Sequence, residues 1–281
     1  MRVSTAPACL GTARIEKNHT LMTRVAVFDE RAGHEHRIAT RLHSWSPPAV
    51  AAAAAFLGYV VLAVLLVGIG LILTKLLIPG PVGTWDNSVN RWFVDHRTST
   101  GNTLTDYASI LAGTGTVLTI AGATAVILAI RRLWYEIGFL LIMFFIEFSV
   151  FLTTVMVIDR PRPTVPKLDG VPATSSFPSG HVAAAIVLYV GLAILISSHT
   201  RHTVVRVLVW AIALTFVVGV GISRVYRGLH HPTDVFAGVI LGTGALLFAI
   251  MAMRSADAAS RARAETTIDT PTLPQPTEVR S

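Results

Sequence analysis

The sequence has one cysteine, Cys9, among 281 residues. A lone thiol excludes an intramolecular disulfide and any cysteine-built metal cluster. Charge is scarce as well: Asp, Glu, Lys and Arg make up 14% of the chain, against about 25% in a soluble domain. With 52% hydrophobic residues, so little charge cannot supply a water-facing surface. An ordinary soluble globule is excluded, and an integral membrane protein is expected. No internal repeat stands out. The net charge of +7 is not arranged as a stripe of Lys and Arg interleaved with aromatics, so nucleic acid is excluded as a partner. The basic residues sit mainly in tails and loops, which suits membrane topology and anionic headgroups.

What the chain does have is long apolar runs. Six of them, at 49–77, 110–130, 137–158, 182–197, 204–222 and 235–253, each approach the roughly 20 residues needed to cross a bilayer. The runs are continuous and do not alternate, which excludes a β-barrel and leaves helices as the spanning structure. The expected fold is therefore all-α, a bundle of six transmembrane helices over 49–254. Residues 1–48 lack a long apolar run, and so a recognisable cleavable signal. They read as a polar, basic N-terminal tail. Residues 255–281, polar and Pro-rich, read as a disordered C-terminal tail. Gly113 and Gly115, Gly219 and Gly221, and Gly238 and Gly242 punctuate the spans as close-approach points between helices.

Basic residues fall on both sides of such a bundle. One side carries the N-terminal arginines, Arg131, Arg132, Arg201, Arg206, Arg254, Arg261 and Arg263. The other carries Arg91, Arg97, Arg160, Arg162, Lys167, Arg224 and Arg227. The positive-inside rule makes the first side cytoplasmic. Both termini are then expected inside a cell membrane, with the loops after spans one, three and five outside.

Three polar stretches share that outer side: "DRPRPTVPKLDG" (159–170), "PSGH" (178–181) and "SRVYRGLHHPTD" (223–234). A helix starts after Pro-Ser-Gly-His, with Ser179 as a natural N-cap. Its first N–H groups point outward at the positive end of the helix dipole, and Gly180 lets an anion come close, which is a ready phosphate site. The same four residues would also suit a plain capped helix start with an interfacial histidine. Pro232 fits the first turn of the last span. Asp234, in that turn, is both a dipole partner and a carboxylate able to hold one nitrogen of a histidine and leave the other nucleophilic. Spacing does not choose between His230 and His231. Arg162 and Arg224 offer planar forks matched to phosphate oxygens, whereas Arg91, Arg97 and Arg227 read as interfacial snorkelling residues. Glu147, mid-span, reads as a structural acid outside the site, and His199 and His202 as surface residues.

The order Arg162-Pro163, Pro178-Ser179-Gly180-His181, then Ser223-Arg224, His230 and Asp234 resembles the three-part signature of the type 2 phosphatidic acid phosphatases (PAP2), over roughly 86–253. The resemblance implies a membrane lipid phosphatase. His230 would be the nucleophile that forms a phosphohistidine, Asp234 its orienting carboxylate and His181 the general acid. Arg162, Arg224, Ser179 and the Gly180 backbone would bind the phosphoryl oxygens. It implies no metal and no other cofactor. Its substrate would be a lipid phosphate or diphosphate: an isoprenoid diphosphate (undecaprenyl or decaprenyl), phosphatidic acid or phosphatidylglycerophosphate. One position departs from the pattern. Val155 stands where the first motif normally has lysine, and Arg160 or Lys167 is the candidate substitute cation. Two other outcomes follow from the same residues: a phosphotransferase sharing these motifs, or a catalytically impaired lipid-binding protein, which Val155 suggests. Oligomeric state is not legible.

Overall fold

The computed structural model describes residues 45–268 except Pro172. Among these residues the secondary structure is helical throughout, as expected for backbone that must satisfy its own polar groups in lipid. Helix α1 (Pro47–Ile72) is opened by the Ser46 cap and Pro at its first position, and runs on through a π-helical turn, Leu73–Leu77. Then follow α2 (Pro81–Asp95), α3 (Ser99–Leu111), α4 (Thr114–Ile130) and α5 (Trp134–Val157). Helix α6 spans Gly180–His199 with a π-helical turn at Ile186–Val190. Helices α7 (Thr203–Tyr226) and α8 (Pro232–Ile268) complete the bundle.

Five of these helices, α1, α5, α6, α7 and α8, are long and apolar enough to cross a membrane. The expected second span is different in kind. Helices α3 and α4 meet at a bend of 45° and make a sixth span only if taken together. Gly113, the N-cap of α4, sits at that break. The last helix also departs from the reading. It continues past Arg254 to Ile268, where a disordered tail was expected. Its Ala-rich sequence favours helix; Ala256, Ala258 and Ala259 are buried, and buried Asp257 pairs with Arg261 one turn on at 2.9 Å. Residues 1–44 and 269–281, which hold the rest of the two tail readings, lie outside the described residues.

Large apolar side chains such as Ile130, Leu76 and Met156 face outward from the spans, where lipid rather than water receives them. Burying apolar surface between helices gains little when lipid is as apolar as leucine, so close packing must hold the bundle together. Helix α8 makes the widest contacts, against α1 and α5. It also lies directly on α6. A Cβ at Gly238 would sit 2.6 Å from the Ser179 carbonyl oxygen, and one at Gly242 would sit 2.8 Å from that of Ala183. Gly219 and Gly221 have only ordinary contacts at their Cβ positions. The glycine reading thus holds for one helix pair and fixes where the start of α6 sits against α8.

Candidate active site

The end of α5, the start of α6, the end of α7 and the start of α8 meet at one end of the bundle. Prolines at 161, 163 and 166 stop α5 from continuing, and Ile158 already turns extended. The long 158–179 segment then folds over the short 227–231 turn. Backbone bonds hold it there: Leu168 N–H to the Arg227 carbonyl of the turn at 3.1 Å, and Ser179 N–H to the Asp234 carbonyl in the first turn of α8 at 3.0 Å. Arg162 adds Nη1 to the Leu229 carbonyl at 2.9 Å and Nη2 to the Ser175 carbonyl at 3.4 Å. The three polar stretches therefore form one structure.

His230 is buried. Its Nδ1 lies 2.7 Å from the Ser176 carbonyl oxygen. A carbonyl can only accept, so Nδ1 carries the proton and a neutral ring has its lone pair on Nε2. The sequence assigned this orienting bond to Asp234. Instead, the nearer Asp234 carboxylate oxygen stands 3.7 Å from Nδ1, outside hydrogen-bond range. That carboxylate is engaged elsewhere. Oδ2 accepts the His231 N–H at 2.8 Å, the return half of a capping box at the start of α8, and Oδ1 accepts from Arg160 Nη1. Asp234 is still the charge next to His230. Burial first, and the Arg162 charge after it, push the His230 imidazole below its ordinary value, against the pull of Asp234.

Ser179 occupies the N-cap position of α6 but makes no capping bond. Its Oγ is buried without a partner among the described residues, as are Arg162 Nε and Arg224 Nε. Buried polar groups are nearly always satisfied, so three unpaired donors on three motifs make a candidate anion subsite. Burial draws the Arg162 guanidinium below its usual value, with Asp234 opposing. His181, half-buried beside Gly180, lies within the electrostatic reach of Arg224, His230, Asp169 and Arg162. Arg224 itself is lightly held, with Nη2 3.2 Å from Ser223 Oγ and 3.5 Å from Asp169 Oδ2.

Several cations are not where the sequence suggested. Arg227 is a buried strut, not a snorkelling residue. It pairs with Asp169 and, at 3.0 Å, with Asp106. Burial pushes the Asp169 carboxyl up, but the Arg227 hydrogen bond and the charges of Arg227 and Arg224 hold it below its ordinary value. Arg97 donates through Nη2 to the Tyr226 carbonyl at 2.7 Å. Arg160, proposed as a substitute phosphate cation, points away from that role toward two carboxylates, Asp86 and Asp234. Lys167 is exposed and Val155 half-buried. His199 is exposed, as read from the sequence, and its ring faces the buried Glu136 at 3.4 Å. Glu147 is buried in α5 without a hydrogen-bond partner among the described residues.

Sequence reading missed Asp86 and Asn90. Both are buried, four residues apart on one face of α2. That spacing within an otherwise interfacial helix was the available signal.

Residues 136–257 match the PAP2 superfamily. Phosphatidylglycerophosphatase B of Bacillus subtilis (strain 168) is 39% identical over 89 residues, 30% of this chain and 42% of that protein. Bacitracin transport permease protein BcrC of Bacillus licheniformis is 38% identical over 86 residues, 31% of this chain and 37% of that protein. The matched stretches thus span about two fifths of these curated relatives. A crystal structure described as the first transmembrane PAP2 type phosphatidylglycerolphosphate phosphatase, from Bacillus subtilis, superposes with a TM-score of 0.55 at 27% identity. The superposition covers 70% of this chain and 92% of that one.

Proposed function

We propose, from the match of residues 136–257 to the PAP2 superfamily, that the chain is a membrane lipid phosphatase of that superfamily working through a phosphohistidine. The observation that carries the proposal is the pairing of His230, whose Nδ1–H is committed to Ser176, with the three unpaired buried donors of Arg162, Arg224 and Ser179. In this reading the donors hold the phosphoryl oxygens and the His230 Nε2 lone pair attacks phosphorus. The bond from phosphorus to the lipid oxygen breaks as His181 delivers a proton to that oxygen. Water then attacks the phosphohistidine, His181 takes its proton, and inorganic phosphate leaves His230. Phosphoryl transfer is mostly positioning and charge stabilisation, which two arginines and a helix N-terminus supply. The negative charge of a bound phosphoryl group favours a proton on His181. No step is routed through a metal.

A lipid substrate is supported by an apolar groove of about 370 Å³ beside the site. Val182, Val225, Pro232 and Val235 form one part of its wall, and Trp85 and Phe93 of α2 another. Val182, Val225 and Val235 directly follow His181, Arg224 and Asp234 in the chain, so the groove adjoins the site and suits the hydrocarbon chain of a lipid whose headgroup sits there. An isoprenoid diphosphate, phosphatidic acid and phosphatidylglycerophosphate are the candidate substrates. The site end is proposed to face the extracytoplasmic side.

The test is phosphate release by the purified chain in detergent from a panel of these lipids, with His230→Ala as control. Release that His230→Ala abolishes supports the reading, and equal release by both proteins overturns the phosphohistidine. Transfer of label from the lipid to an added alcohol would make the protein a transferase. No release from any lipid, with binding retained, would make it a lipid-binding protein.

A further inference from the structure

Asp86 is remote in sequence from all three motifs, yet it lies buried beneath them. Arg160 stands between it and Asp234. Arg160 Nη2 donates to Asp86 Oδ2 at 2.6 Å, while Nη1 donates to Asp234 Oδ1 and, at 2.8 Å, to Thr233 Oγ1. Thr233 in turn donates its hydroxyl to Asp86 Oδ2 at 2.6 Å and its N–H to Oδ1 at 3.1 Å. One turn along α2, Asn90 Nδ2 donates to the His230 carbonyl at 3.1 Å. Helix α2 therefore grips both ends of the 230–234 segment.

A network of this kind is a poor stabiliser. Desolvating two carboxylates and a guanidinium costs about as much as their attraction returns, and apolar substitutes of similar volume are often more stable. What fully bonded networks do supply is a single geometry. Here the fixed object is the carboxylate next to His230 and the backbone that carries the imidazole. We propose that Asp86, acting through Arg160, is a positioning residue for the His230–Asp234 pair. The inference rests on the phosphatase reading for its effect on rate, though not for its effect on the imidazole.

The charged or titratable groups around His230 are Asp234 and His231, Arg160 and Arg162 from the loop before α6, His181 of α6 and Arg224 of α7. Asp86 balances Arg160 from behind. In Asp86→Asn that balance is lost, and the uncompensated guanidinium disfavours a protonated imidazole. The acid limb of the kcat/KM profile should then move to lower pH. With a soluble phosphate monoester such as p-nitrophenyl phosphate, kcat should fall about 100-fold, the cost of a small misplacement, while KM changes less than about threefold. Asp86→Asn/Arg160→Gln removes both charges and should return the limb to the wild-type pH while kcat stays low. It also serves if the single variant fails to fold. A merely structural role would lower the amount of active protein without moving the limb. Wild-type kcat in either variant, or an acid limb unmoved in a folded Asp86→Asn, would overturn the proposal. The His230 imidazole NMR titration gives a readout without turnover. If it shifts in Asp86→Asn while the wild type releases no phosphate, the positioning stands and the phosphatase reading falls. If it does not shift, the positioning falls.

Discussion

Because the Ser176 carbonyl can only accept, a neutral His230 keeps its proton on Nδ1 and presents Nε2. Burial acts on both His230 and its neighbour His231, drawing each below the ordinary imidazole value against the pull of Asp234. The sign of the consequence follows from linkage. The unfolded chain takes up protons near pH 6.5, where the folded histidines resist them. Stability is therefore complete above about pH 6.5 and declines as pH falls toward the folded values. The thermal midpoint in detergent should drop between about pH 7.5 and about pH 5.5, and His231→Gln should flatten that drop. A midpoint independent of pH over this interval would contradict the burial argument. That Arg162, Arg224, Asp234 and the His230–His231 pair belong to one cluster was legible in the sequence, because their spacing lies along the chain, although spacing did not choose between the two histidines. The bond that sets the His230 tautomer was not, because it comes from a backbone carbonyl 54 residues away, and backbone leaves no mark in a residue pattern. The role of Arg160 was misread for a related reason. Its two carboxylate partners are each 74 residues distant.

Helices differed in how visible they were. The five apolar spans were plain from hydropathy, because each must cover about 30 Å of hydrocarbon. Helices α2 and α3 were not, since they carry polar residues for the site end and are too short to span. The bend after α3 was likewise hidden, because a run of apolar residues does not record a change of direction. The contact between α6 and α8 depends on Gly238, where any side chain would meet the Ser179 carbonyl oxygen. That oxygen is backbone and cannot rotate away, so Gly238→Ala must push the start of α6 off α8. Overpacking of this sort costs about 1–3 kcal/mol. The displaced residue is Ser179, so the loss should appear in activity as well as in the thermal midpoint. Gly219→Ala, whose Cβ would have 3.9 Å of clearance from Ala108, should change neither. Equal behaviour of the two variants would remove Gly238 from the account of the site.

For the molecule as a whole, the directions of the helices place every motif loop at one end of the bundle, so a single measurement orients the site. The positive-inside argument is modest on a raw count of basic residues. The structure strengthens it, because Arg97, Arg160, Arg162, Arg224 and Arg227 at the site end are all engaged within the protein and are no measure of charge kept out of translocation. In a Cys9→Ser background, Thr174→Cys probes the site end and Arg201→Cys the opposite end, both at exposed positions. An impermeant thiol reagent should label Thr174→Cys in intact cells and reach Arg201→Cys only after lysis. The reverse pattern would turn the protein over and place the proposed phosphate subsite in the cytoplasm. The physical stake is which pool of lipid the site can meet. Carrying a charged headgroup through the hydrocarbon core is too costly to occur unaided, so under the proposed phosphatase reading the site would act only on lipids whose headgroups already lie in its own leaflet.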